Sequence, residues 1–73
     1  RSRGEARKVK QQVLEAEQTI QRVQAKISEI DQAMLDRPSH SEELARNRAA
    51  LSKKLELAEE EWLKASQRLE QAA

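Results

Sequence analysis

Apolar residues recur at alternating spacings of three and four along two long stretches of this chain. In the first they are Ala6, Val9, Val13, Ala16, Ile20, Val23, Ile27, Ile30 and Met34. In the second they are Leu44, Leu51, Leu55, Ala58, Trp62, Ala65, Leu69 and Ala72, and Arg48 is the one polar residue on the stripe. A helix turns once in about 3.6 residues, so this spacing gathers the apolar set on a narrow seam, as in a coiled coil. The only proline lies between the stretches, in "LDRPSHSEEL". Pro38 disfavours helical geometry at Arg37 and so predicts a helix end near Leu35 or Asp36. Ser39 with Glu42 has the spacing of a capping box, and Ser41 is a competing cap. The pattern predicts helix 1 over about 5–35, a turn over about 36–40 and helix 2 over about 41–71. A break this short favours antiparallel neighbours. The expected fold is all-α: a single domain, a two-helix antiparallel coiled-coil hairpin.

One register satisfies both stripes. Met34 faces Leu44, Ile30 faces Arg48, Ile27 faces Leu51, Val23 faces Leu55, Ile20 faces Ala58, Ala16 faces Trp62, Val13 faces Ala65, Val9 faces Leu69 and Ala6 faces Ala72. Ser39 is the centre of symmetry. Large side chains then oppose small ones, as close packing requires. The expected structural core is Ala16, Ile20, Val23, Ile27, Leu51, Leu55 and Trp62. At the flanking positions the same register brings Glu17 near Glu59 and Lys26 near Lys54, which does not reinforce the pairing. Alanines thin the seam, so modest stability and fraying at the open end are expected. An interior proline costs roughly 3 kcal/mol in a helix, which weighs against one continuous helix in a parallel dimer.

Composition agrees with long helices. Charged residues make up 37%, and the 73 residues include one Gly, one Pro and no Cys. The chain starts with Arg1 rather than Met and reads as a piece of a longer protein. No apolar run approaches the roughly 18 residues of a membrane span, so no membrane partner is expected. Net charge is +1 but uneven. Residues 1–10 hold five basic groups and Glu5, and residues 39–55 hold four basic and two acidic groups. Residues 56–73 hold two basic and five acidic groups. A polyanion should therefore meet the N-terminal segment or the middle and avoid the C-terminal end.

No catalytic constellation, metal site or cofactor motif is visible. His40, the only histidine, falls on the turn and reads as solvent-exposed. Glu59, Glu60 and Glu61 are successive helical residues that point in different directions, so they read as a solvated run. The candidate phosphate contacts are Arg7, Lys8 and Lys10 at the entry, Arg22, Lys26, Lys53 and Lys54 close together on one side, and Arg46 and Arg48 toward the tip. Arg48 also admits a structural reading, its stem on the seam and its guanidinium reaching water. Leu14 and Leu63 lie off the seam at one level of one face. They are either scattered exposed leucines or a docking patch for a parent protein or a second hairpin. The hairpin is otherwise expected to be mostly monomeric.

The stretch "LSKKLELAEEEWLKASQRLEQ" resembles the C-terminal extension of ABC-F ATPases, which ends in a Leu/Ala helix with acidic residues just before Trp-Leu. The matching residues are Glu59, Glu60, Glu61, Trp62 and Leu63. That resemblance implies an antiparallel coiled coil following the second ATPase domain of a cytoplasmic, ATP-binding parent that acts on ribosomes. It implies contacts to rRNA, tRNA or DNA by a domain that is not itself an enzyme. Family turns often carry Asp-Pro followed by an aromatic residue, and this turn has no aromatic. Two other readings stay open: a structural or protein-docking arm, and a tRNA-contacting arm like those of valyl and seryl aminoacyl-tRNA synthetases.

Overall fold

The computed structural model describes residues 3–72. Helix α1 runs Arg3–Asp36, a 3₁₀ turn spans Pro38–His40, and helix α2 runs Ser41–Ala72. The two helices pack along their length in a rod of 56 × 14 × 13 Å. At 1.5 Å per residue a 34-residue helix is about 51 Å long, so α1 nearly fills the long dimension. Three side-chain pairs hydrogen-bonded across the hairpin show that its two helices run in opposite directions. Arg48 bonds Asp31 near the turn, Trp62 bonds Glu17 farther out, and Arg68 bonds Gln12 toward the open end. These contacts agree with the register that pairs Met34 with Leu44.

The break in the helix falls at one residue. Arg37 has φ −134° and ψ 72° with no side-chain cap, and Pro38 occupies the first position of the turn. Its ring clashes with helical geometry at the preceding residue, and its missing N–H is no loss at a helix start. The turn closes through the main chain. Arg37 N–H donates to Ala33 O at 2.8 Å, His40 N–H to Arg37 O at 3.0 Å, and Ser41 N–H to Pro38 O. The expected Ser39–Glu42 box is therefore not what starts α2. An N-cap must lie outside the helix, yet Ser39 is within the 3₁₀ turn and Ser41 is already helical at φ −61° and ψ −34°.

The core is a line of small residues. Ala16, Val23, Ala58 and Ala65 are buried, whereas Ile20, Ile27, Leu51, Leu55 and Trp62 are half-buried. Two helices cover only two sides of a large side chain, while an alanine between the backbones is almost enclosed. Off-seam polar groups satisfy one another locally. Thr19 Oγ1 donates to Glu15 O at 3.0 Å, and Gln32 Nε2 reaches Asp36 Oδ1 at 3.3 Å.

Candidate nucleic-acid interface

Labelling the seam a and d, with Met34 and Trp62 at a, divides the rod into two flanks. One carries the e and b positions of both helices, the other the c and g positions. Open grooves mark them. A groove of about 650 Å³ on the e/b flank is lined by Ile20, Trp62, Leu63, Glu17 and Glu59 among others. One of about 380 Å³ on the c/g flank is lined by Thr19, Lys54, Leu57, Glu61 and Arg68 among others. Glu59 and Glu61 thus fall on opposite flanks, because successive helical residues are 100° apart.

The basic residues divide in the same way. Lys26 and Lys54 occupy facing g positions across the seam, on the row where Arg68 Nη1 reaches Gln12 Oε1 at 3.4 Å. Both lysines are exposed, and among the described residues neither has a carboxylate partner. Arg22 stands on the same flank at c, and its Nη2 donates to Thr19 Oγ1 at 3.3 Å. Lys53 does not join them as expected. It takes the outward f position and lies 3.8 Å from Glu56. Arg46 is also outward at f. Arg7 and Lys10 lie on the e/b flank. Lys8 lies on the c/g flank but about 27 Å along the helix from Lys26, at 1.5 Å per residue. The fold therefore brings together Arg22, Lys26 and Lys54, and separates the remaining candidates from them.

Arg48 has another occupation. Its Nε donates to Asp31 Oδ1 at 2.6 Å and its Nη2 to Oδ2 at 3.4 Å. This two-pronged bond to a neighbouring e position is how an arginine occupies the seam without burying its charge. The hydrogen bond from Arg48 holds the Asp31 carboxyl below its usual pKa against the opposing effect of burial, with the positive charge of Arg48 as a lesser aid. The same bond raises Arg48. A guanidinium engaged in this way is a poor phosphate ligand.

Glu17 has a role the sequence reading missed. It was expected to oppose Glu59, but its Oε2 accepts the Trp62 Nε1–H at 3.1 Å. The signal was available: a half-buried indole needs an acceptor for its N–H, and the e position one level away supplies it. His40 ends the 3₁₀ turn and is exposed. Leu14, Leu35, Leu57 and Leu63 are the large apolar side chains left exposed, Leu14 by 46% and Leu63 by 53%. Among the described residues no helix is long and apolar enough to cross a membrane. Comparison with protein-family models, with curated proteins and with solved structures finds no match.

Proposed function

We propose that this hairpin is a non-catalytic, phosphate-contacting arm of a cytoplasmic ABC-F-type ATP-binding protein that acts on ribosomes, touching RNA or DNA without reading sequence. The observation that carries the reading is the facing pair Lys26 and Lys54, flanked by Arg22. Like charges on facing flank positions do nothing for the hairpin itself, and a glutamate at either one would stabilise it. A phosphate between them relieves the repulsion and gains two charge-assisted contacts. The parent class rests on the acidic-Trp-Leu stretch around Trp62. Base stacking has no part in the proposal, since the indole is half-buried on the seam and its N–H is engaged by Glu17. Binding of this kind is weak, tolerant of sequence and steeply dependent on salt.

The test is an electrophoretic titration of the chain against RNA, double-stranded DNA and single-stranded DNA over a range of salt concentrations. Wild type should bind at low salt and release as salt rises. The variant Arg22→Glu, Lys26→Glu, Lys54→Glu should lose that binding while keeping its helical circular dichroism. Equal binding by the variant rejects this surface, and no low-salt binding by wild type rejects the function.

A further inference from the structure

The e/b flank is built differently from the charged one, and its residues are complementary to themselves. We propose that it is a homodimer interface, on which a second copy of this chain docks about a two-fold axis parallel to the length of the rod. In that arrangement α1 of each copy lies against α2 of the other, antiparallel and at the same level. Residues that sit level with each other on the two helices of one hairpin then meet between copies.

The level pairs at b fit this arrangement. Leu14 meets Leu63 of the second copy and Leu63 meets its Leu14, so side chains that are 46% and 53% exposed cover one another twice. Arg7 meets Glu70 in the same reciprocal way, and Ser28 meets Ala49. At e, Gln24 meets Ser52. Gln21 meets Glu56, Asp31 meets Ala45 and Leu35 meets Glu42, so these acidic groups between the Leu pair and the turn each stand opposite an uncharged side chain. The groove floored by Ile20 and Trp62 lies beside Leu63, where it receives the edge of Leu14 from the second copy. A flank 56 Å long and 14 Å wide has about the footprint of a standard interface, roughly 800 Å² per partner. One like-charge juxtaposition remains, Glu17 with Glu59 of the second copy, and it is eased because Glu17 turns to Trp62 Nε1. The c/g flank, with Lys26 and Lys54, stays open in the dimer, so the proposal stands apart from the phosphate-binding one.

Sedimentation equilibrium of the full chain from micromolar to millimolar concentration tests the proposal. Wild type should pass from monomer to dimer. Leu14→Gln with Leu63→Gln should weaken association by roughly tenfold or more, since each leucine contact is lost twice per dimer. The geometry is tested separately by charge exchange. Arg7→Glu and Glu70→Arg should each weaken the dimer, and the double variant should restore it. Glu59→Gln should tighten it. A chain that is monomeric throughout overturns the proposal and leaves the flank to another partner. A dimer indifferent to the leucine changes, or one that the double exchange does not rescue, also overturns it.

Discussion

The two flanks of this hairpin share the same helices, seam and turn, yet their chemistry diverges. The c/g flank carries Lys26 opposite Lys54, with Arg22 and Glu61 near them and Arg68 farther toward the open end. The e/b flank mixes Gln21, Gln24, Ser28, Ala45, Ala49 and Ser52 with the acidic Glu17, Asp31, Glu42, Glu56 and Glu59, and carries Leu14 and Leu63 beyond them. A coiled coil uses its a and d positions for folding and leaves the flanks free, so each flank can suit a different partner. Unpartnered like charges suit a polyanion. Level exposed leucines beside small, uncharged side chains suit another helical surface.

The largest expected effect comes from the residue that floors the e/b groove and also holds the seam. Trp62→Ala should cost about 2–3 kcal/mol of unfolding free energy, below the roughly 3–5 kcal/mol of a fully buried aromatic because the indole is only half-buried. Urea melts followed by far-ultraviolet circular dichroism measure it, and an unchanged midpoint would show that the register is wrong. Next comes a transfer between flanks. Lys26→Gln and Lys54→Gln combined with Gln24→Lys and Ser52→Lys move the facing lysines from g to e. Low-salt nucleic-acid affinity should survive on the other flank while self-association falls. Loss of affinity would mean that the c/g flank contributes more than its lysine pair.

Smaller effects sharpen the same contrast. Lys26→Glu creates an ion pair with Lys54, so stability should rise by about 0.5 kcal/mol as nucleic-acid binding drops. A fall in both would contradict the idea that the lysine pair is a burden on the fold. The smallest effect concerns Asp31, whose pKa is lowered by Arg48. A depressed carboxyl contributes stability above its unfolded pKa and loses it as pH falls through the lowered value. Wild type should therefore lose stability into acid slightly more steeply than Asp31→Asn. An NMR titration of the Asp31 carboxyl should show the depression vanish in Arg48→Met.

Much of the hairpin was legible because its seam is periodic and its only proline is central. The alternating spacing placed both helices, and the expected core includes the buried Ala16 and Val23 but not Ala58 and Ala65, which are just as enclosed. The cap was misjudged because two rules competed at the turn. Serines with a following glutamate signal a cap, but the ring of Pro38 forces the non-helical residue to be Arg37. Lys53 was grouped with Lys54 because neighbours in sequence look close, although a helix turns them 100° apart. The roles of Glu17 and Asp31 were hidden because each depends on a side chain of the other helix.

The sequence by itself determined that two helices form, where they break and which stripe joins them, since these follow from local periodicity and backbone sterics. Tertiary structure decided which charges remain available. Once the helices lie antiparallel, Asp31 engages Arg48, Glu17 engages Trp62, and Lys26 is left facing Lys54. Those partners are 17 to 45 residues apart in the two engaged pairs. Only packing brings them within reach, because an electrostatic or hydrogen-bonding partner is set by distance in space and not by distance along the chain.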